Sequence, residues 1–321
     1  MGAGIWDSGA YKSASTTRAA KGVPDFAYTK TATKVHPNLE PKRINTKPFG
    51  KLESRDSSDH PNSLAVLVGF DTTGSNASRA VEAQAKLPSL MDLLNKYLDD
   101  PQVAVAANDD FEAQVRSRGS HDGALQISDF ESDNRVDEHI RNIWLTENGG
   151  GNGGESYDLM LYAAARKTVL DSVEQRGKKG YFFMYADEPI FPNVQKSEVL
   201  AVFGDVIERD IPVAEIIEEA RRNFNVFAIW PHGGYDSAKE QYIKLFGKDS
   251  VLILENPNLI CELIVSIIGL YEEKATPASI VTDLVAVGVS NHDAHALVKL
   301  TEHHANTASL ATSGAGKAAR L

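Results

Sequence analysis

The chain of 321 residues holds a single cysteine, Cys261, inside the apolar run NLICELIVSIIGL. One thiol cannot form an intrachain disulfide, so the fold does not rest on cross-links, and the position reads as a small buried hydrophobe. Long hydrophobic runs are missing too. The apolar stretches are short and interrupted, which argues against a membrane-spanning helix. The opening residues MGAGIWDSGAYKS lack the apolar core of a signal peptide, and Trp6 stands where a myristoylation signal asks for Ser or Thr. These absences lead to the expectation of a cytoplasmic protein without a membrane partner. Positive charge is scarce: 33 Lys and Arg face 44 Asp and Glu, a formal net charge of −11. Residues 1–60 are mildly basic, so the rest of the chain carries about −15. An acidic body disfavours nucleic acid as a partner and suits divalent cations or basic protein surfaces.

What is present divides into four parts. Residues 1–61 show no sustained period and carry Pro24, Pro37, Pro41 and Pro48, so they are expected to be an extended, largely unstructured arm. Trp6, Phe26, Tyr28 and Phe49 are isolated anchors along it. Residues 62–274 alternate strand and helix patterns. SLAVLVGF is a near-continuous apolar run, as expected of a central parallel strand covered on both faces. QVAVAA, GALQISDF, GYFFMY, FNVFAIWP and SVLILE read as further strands. Helices are expected after Ser78 (kinked or restarted at Pro88) and over 133–145, 155–173, 211–223, the segment closed by Gly247, and 257–272. This order predicts a doubly wound α/β fold: a mostly parallel central sheet with helices on both faces. Residues 275–308 read as a C-terminal helical extension and 309–321 as a flexible tail.

In an open parallel sheet, ligands bind beyond the carboxyl ends of the strands. Three clusters are expected there: DTTGS at 71–75, the Gly-rich ENGGGNGGES at 147–156, and YADEP with Asp187. Asp71, Thr73 and Ser75 alternate along a turn, so their oxygens can converge on one point. A carboxylate with hydroxyls is a hard-oxygen set, suited to Mg²⁺ or Mn²⁺ rather than zinc. The same residues also suit a turn followed by a helix cap. His292 and His295, one helical turn apart, are a weaker metal candidate.

FDTTGSN resembles the D-x-T/S-x-S strand-end motif of von Willebrand factor type A domains. GGGNGGESYDLMLYAAA resembles the second metal loop of that family, and YFFMYADEP the strand ending in its third-loop aspartate. The resemblance covers about residues 62–272. It implies one divalent cation held by Asp71, Thr73 and Ser75, with Asp187 binding directly or through water. The chain departs from the family at the second loop, where a Thr is common and Glu155 and Ser156 stand instead. Either of these two residues can complete the shell. Glu155 also suits a plain helix-start residue.

The resemblance implies protein binding rather than catalysis, with an open ion position taking a partner's carboxylate. Two alternatives stand beside this reading. One is a structural or adaptor subunit of a larger assembly or ring-ATPase complex, with multimers built through the arm. The other is a Mg²⁺-dependent phosphotransfer enzyme, which would want a second Asp where Thr73 stands.

Overall fold

Every residue of SLAVLVGFD, Ser63–Asp71, is buried, as a strand with cover on both faces requires. In the computed structural model, which describes residues 4–73, 77–146, 153–231 and 236–301, this strand is β2. The first part of the chain provides α1 (Ser8–Ala20) and β1 (Leu52–Ser54) before it. After β2 come α2 (Ala77–Tyr97), β3 (Asp100–Asn108), α3 (Phe111–Arg118), β4 (Leu125–Ile127), α4 (Arg135–Arg141) and α5 (Tyr157–Arg166). Then follow β5 (Thr168–Leu170), α6 (Asp171–Arg176), β6 (Gly180–Tyr185), β7 (Asn193–Val194), α7 (Lys196–Phe203) and β8 (Ile211–Pro212). The last elements are α8 (Val213–Asn223), β9 (Phe224–Pro231), α9 (Asp236–Phe246), β10 (Val251–Leu254), α10 (Ile260–Tyr271) and α11 (Pro277–Ala286). Residues 291–301 are also helical.

The central sheet has six strands in the order β10-β9-β6-β2-β3-β4. All neighbours are parallel except β3 and β4. The doubly wound α/β fold expected from the strand–helix alternation is therefore present, with β2 in the interior. From β2 the chain moves outward to β3 and β4, then returns to the other side of β2 with β6. The order reverses between β2 and β6, and a doubly wound sheet leaves its crevice at such a reversal.

Period-two alternation sorts the strand side chains into two cores. Val66, Val68, Phe70 and Phe183 pack with Leu87 and Met91 of α2 and Ile264 and Ile267 of α10. Ala65, Leu67, Phe182 and Met184 pack with Met160 and Leu161 of α5 and Ile216 and Ile217 of α8. Gly69 permits the second contact, because a Cβ there would lie 2.5 Å from the Met160 sulfur.

Three expectations need correction. The helix expected over 155–173 ends at Arg166, and Thr168–Leu170 form β5, parallel to β1. The β-branched Thr168 and Val169 favour this extended segment once a partner strand is supplied from more than a hundred residues away. The helix does not restart at Pro88, because α2 runs on through it. The arm is not unstructured. Its prolines start short 3₁₀ turns at Pro37–Leu39, Pro41–Thr46 and Pro48–Gly50, where a missing N–H costs nothing. Trp6, Phe26 and Leu39 enter one core, and Ile44 and Leu52 the other.

Polar contacts fasten the arm further. The Gly4 carbonyl accepts from Ser132 Oγ at 2.6 Å and His60 Nε2 at 2.9 Å. Asp7 and Asn134 exchange two bonds of 2.9 Å. Arg43 and Lys47 both pair with Asp129, at 2.9 and 2.8 Å. At the other end of the chain, Ile280, Leu284, Ala294, Leu297 and Val298 pack α11 and the 291–301 helix onto the same core as α10.

Candidate metal centre

β2 delivers Asp71 to the crevice and β6 delivers Asp187, two residues beyond its end. Between them stands Tyr157, the first residue of α5. Its hydroxyl donates to Asp71 Oδ2 at 2.6 Å and lies 3.4 Å from both Asp187 Oδ1 and the Asp187 backbone N–H. A phenol has one proton, and the shorter distance assigns it to Asp71. Asp71 Oδ1 accepts from the Thr73 N–H at 2.7 Å, closing a turn of the Asx kind. Thr72 faces elsewhere, donating its hydroxyl to the Asn108 carbonyl at 2.9 Å. Asp71 is fully buried. Burial, and then the charge of Asp187, push its carboxyl up to about 7, against hydrogen bonds from Thr73 and Tyr157 that favour the ionised form.

The second loop is stitched to the third. Gly153 takes a left-handed φ of 89°. A Cβ on Gly154 would lie 2.9 Å from the Pro189 carbonyl and 3.0 Å from the Phe191 ring, so only glycine lets the loops approach this closely. The Glu155 N–H donates to the Pro189 carbonyl at 2.9 Å, and Glu155 bridges to Ile190. The Ser156 hydroxyl accepts from the Phe111 N–H at 3.0 Å, at the start of α3. Glu155 is 3% exposed, and its Oε2 has no hydrogen-bond partner among the described residues. Burial first, then Asp71, Asp109, Asp110 and Glu188, push its carboxyl up to about 10. Every charge named there is another carboxylate.

Asp71, Thr73 and Asp187 are therefore linked at the strand ends through Tyr157, Glu155 lies near enough for the Asp71 charge to act on it, Ser156 is turned to Phe111, and Ser75 lies outside the described residues. Sequence reasoning missed Tyr157, and also Asp109 and Asp110, which follow β3 at the same edge. Asp109 accepts from Thr146 and, at 2.6 Å, from Gln114 Nε2; burial raises its carboxyl to about 6. The triplet NDD directly after QVAVAA was the available signal. His292 and His295 are exposed, and His295 Nδ1 lies 2.8 Å from the Asn291 carbonyl on its own helix. Among the described residues, no three Asp, Glu, His or Cys side chains lie close enough to enclose an ion by themselves. The donor chemistry nevertheless fits a small hard cation. The oxygens are carboxylate and hydroxyl, Glu155 Oε2 lacks a hydrogen-bond partner among the described residues, and the acidic groups raise one another.

No family model and no curated protein matches the chain. Solved structures do. The pilus adhesin SpaC from Lactobacillus rhamnosus GG, in its open conformation, aligns over 68% of this chain and 31% of its own, with 9% identity and a TM-score of 0.44. Proximal thread matrix protein 1 from the mussel byssus aligns over 64% of this chain and 47% of its own, with 12% identity and a TM-score of 0.42. A von Willebrand factor type A structure from Catenulispora acidiphila aligns over 65% and 42%, with 15% identity and a TM-score of 0.36. The chain spans less than half the length of each. Among the described residues, no helix is long and apolar enough to cross a membrane.

Proposed function

We propose that the chain is a protein-binding module of the von Willebrand factor A type whose binding depends on a divalent cation, Mg²⁺ or Mn²⁺. The observation that carries this reading is the group of buried carboxyls gathered at the β2–β6 reversal. The leading charges acting on buried Glu155 are all carboxylates, and its Oε2 lacks a hydrogen-bond partner among the described residues. Buried carboxylates without cationic company are costly, and a bound cation relieves them.

Asp71 is the principal ligand. The Thr73 N–H and the Tyr157 phenol fix its orientation. Tyr157 also stands beside Asp187, so it sets the spacing of the two aspartates. Thr73 adds a neutral oxygen, and Ser75 is expected to add another. Asp187 binds directly or through water, and Glu155 supplies the second-loop carboxylate. The ion, when bound, supplies concentrated positive charge toward an acidic side chain of a partner.

Trp6, Phe26, Leu39, Ile44 and Leu52 of the arm are spent in the chain's own cores, while Ile5 and Phe49 remain exposed. Calorimetric titration with Mg²⁺ and Mn²⁺ tests the metal assignment. The wild type is expected to bind one ion and Asp71→Ala none. Equal affinity in the variant would overturn the assignment. Release of a bound protein partner by a chelator, and by Asp71→Ala without unfolding, tests the binding role.

A further inference from the structure

We infer that Lys167 and Asn45 are poised to form an intramolecular isopeptide bond, with Asp205 moving the proton, and that this bond ties the arm covalently to the body. The inference stands apart from the cation-binding reading. Lys167 follows the end of α5 remote from Tyr157, and neither Asn45 nor Asp205 belongs to the three strand-end loops.

The structure holds the three side chains before reaction. Lys167 Nζ lies 2.7 Å from Asn45 Oδ1 and 2.8 Å from Asp205 Oδ1. The Asn45 carbonyl carbon is one C=O bond of about 1.23 Å beyond Oδ1, so Nζ stands at most about 3.9 Å from it. An oriented attack begins from roughly 3–3.5 Å, a small adjustment away. The amide can be placed only one way. Asn45 Nδ2 donates to the Phe203 carbonyl at 2.5 Å, so its oxygen must face the ammonium.

The backbone holds each group in place. Ile44, beside Asn45, is fully buried in the core that also takes Leu52. The Lys167 N–H donates to the Ala163 carbonyl at 2.8 Å, and the Lys167 carbonyl accepts from the Leu52 N–H at 2.7 Å. Lys167 is only 5% exposed, so its stem is fixed by packing. Gly204 closes α7 with a left-handed φ of 76° and turns the chain toward Asp205; a Cβ on it would lie 3.4 Å from Asn45 Nδ2. The Tyr162 hydroxyl donates to Asp205 Oδ2 at 2.8 Å, which leaves Oδ1 to Lys167. Groups ordered in advance avoid the entropy cost of an encounter.

The chemistry balances without a co-reactant. Asp205 takes a proton from the Lys167 ammonium, and the freed lone pair on Nζ attacks Asn45 Cγ. The C=O π pair moves to Oδ1 and returns as the Cγ–Nδ2 bond breaks. The two protons that Nζ sheds, one of them carried by Asp205, pass to the departing Nδ2. An ammonium and a primary amide thus become a secondary amide and one ammonium ion, and Asp205 ends as a carboxylate again. Asn45 is exposed, so the ammonium ion escapes into solvent and the reverse step loses its reactant. Burial first and the Lys167 charge second push the Lys51 amine down, while Asp205 acts in the opposite sense. Conversion of Lys167 to an amide ends that repulsion, and Asp205 keeps Tyr162 and Lys51 as company.

Intact mass and tryptic maps of the full chain test the inference, on protein as purified and after days in mildly alkaline buffer. The wild type is expected to lose one ammonia. The peptide carrying Asn45 should be joined to the one carrying Lys167, and trypsin should no longer cut after Lys167. Asn45→Ala and Lys167→Arg should give no joined peptide, and Asp205→Asn should slow its formation about a hundredfold or more. Circular dichroism checks folding in each; Asn45 is exposed, so Asn45→Ala is expected to keep the fold. A wild type of unchanged mass overturns the inference and leaves an ion pair with a hydrogen bond. Ammonia lost only at the Asn–Gly steps of Asn148 and Asn152 overturns it equally. A joined peptide that forms at the wild-type rate in Asp205→Asn overturns the part given to Asp205.

Discussion

Replacing Asp71 by Asn should make the metal-free protein more stable while abolishing its response to Mg²⁺. The folded-state carboxyl is raised to about 7 from an ordinary 3.8, by burial first and by Asp187 second. A group raised on folding contributes stability that is complete below its unfolded pKa and is lost as pH rises through the folded value. The window here runs from about pH 4 to about pH 7. A shift of roughly three units corresponds to about 4 kcal/mol at most. Asn keeps an acceptor for the Thr73 N–H but offers an amide where the Tyr157 hydroxyl donates, which returns about 1–2 kcal/mol. The net expectation is a gain of roughly 2–3 kcal/mol at pH 8, turning into a loss of about 1–2 kcal/mol near pH 4, where the carboxyl is protonated in both states. For a chain of this size the gain is a rise of several degrees in Tm. Thermal or urea melts in a chelator across this range measure it, and melts with added Mg²⁺ should stabilise the wild type alone. A variant less stable than the wild type at pH 8 in chelator, or a difference independent of pH, would refute the reasoning.

Tyr157→Phe removes the bond to Asp71 and should lower metal-free stability by about 1–3 kcal/mol while weakening Mg²⁺ binding, both measurable on one sample by melts and calorimetry. Glu198 is buried, and its carboxyl is raised to about 7 by burial first, then by Glu112, Asp110 and Asp210. Glu198→Gln should therefore stabilise by roughly 2–3 kcal/mol above pH 7 and not at all below about pH 4.5, because the penalty enters only as the native carboxyl ionises. Ile44 is fully buried in the arm, so Ile44→Ala should cost about 2–4 kcal/mol in urea unfolding. A loss near zero would mean that the arm does not belong to the cooperative unit.

The central strand was legible because nine buried residues in a row leave an apolar signature that no flanking context can hide. The neighbouring of the three loops was legible because strand ends converge in a doubly wound sheet, so short motifs far apart could be placed together. Tyr157 was not. Its role depends on the first turn of α5 lying across the β2–β6 reversal, which no local pattern announces. The burial partner of Ser156 was equally hidden. Adjacent residues at a helix start point in different directions, and the Phe111 N–H that holds the Ser156 hydroxyl comes from a distant part of the chain. The arm was misread for a related reason. Proline-rich segments without a period look disordered until they are laid on a core, and the pairing of residues 52–54 with 168–170 is a tertiary event.

The fastening of the arm also determines where a pulling force would travel. The chain enters β2 at Ser63, the end of the strand remote from Asp71. Tension applied at the first residues meets the bonds from Gly4 to His60 and Ser132, then the Asp7–Asn134 pair, and later the three-residue β1–β5 contact. These are short attachments arranged in series, so they yield one after another, and the nine-residue register between β2 and β3 is loaded last. Core contacts of Trp6, Phe26, Leu39, Ile44 and Leu52 lie along the same path. The arm is expected to lengthen under load before the strand ends that hold the carboxylates are disturbed, and stepwise early extension in single-molecule pulling is the measurement that checks it.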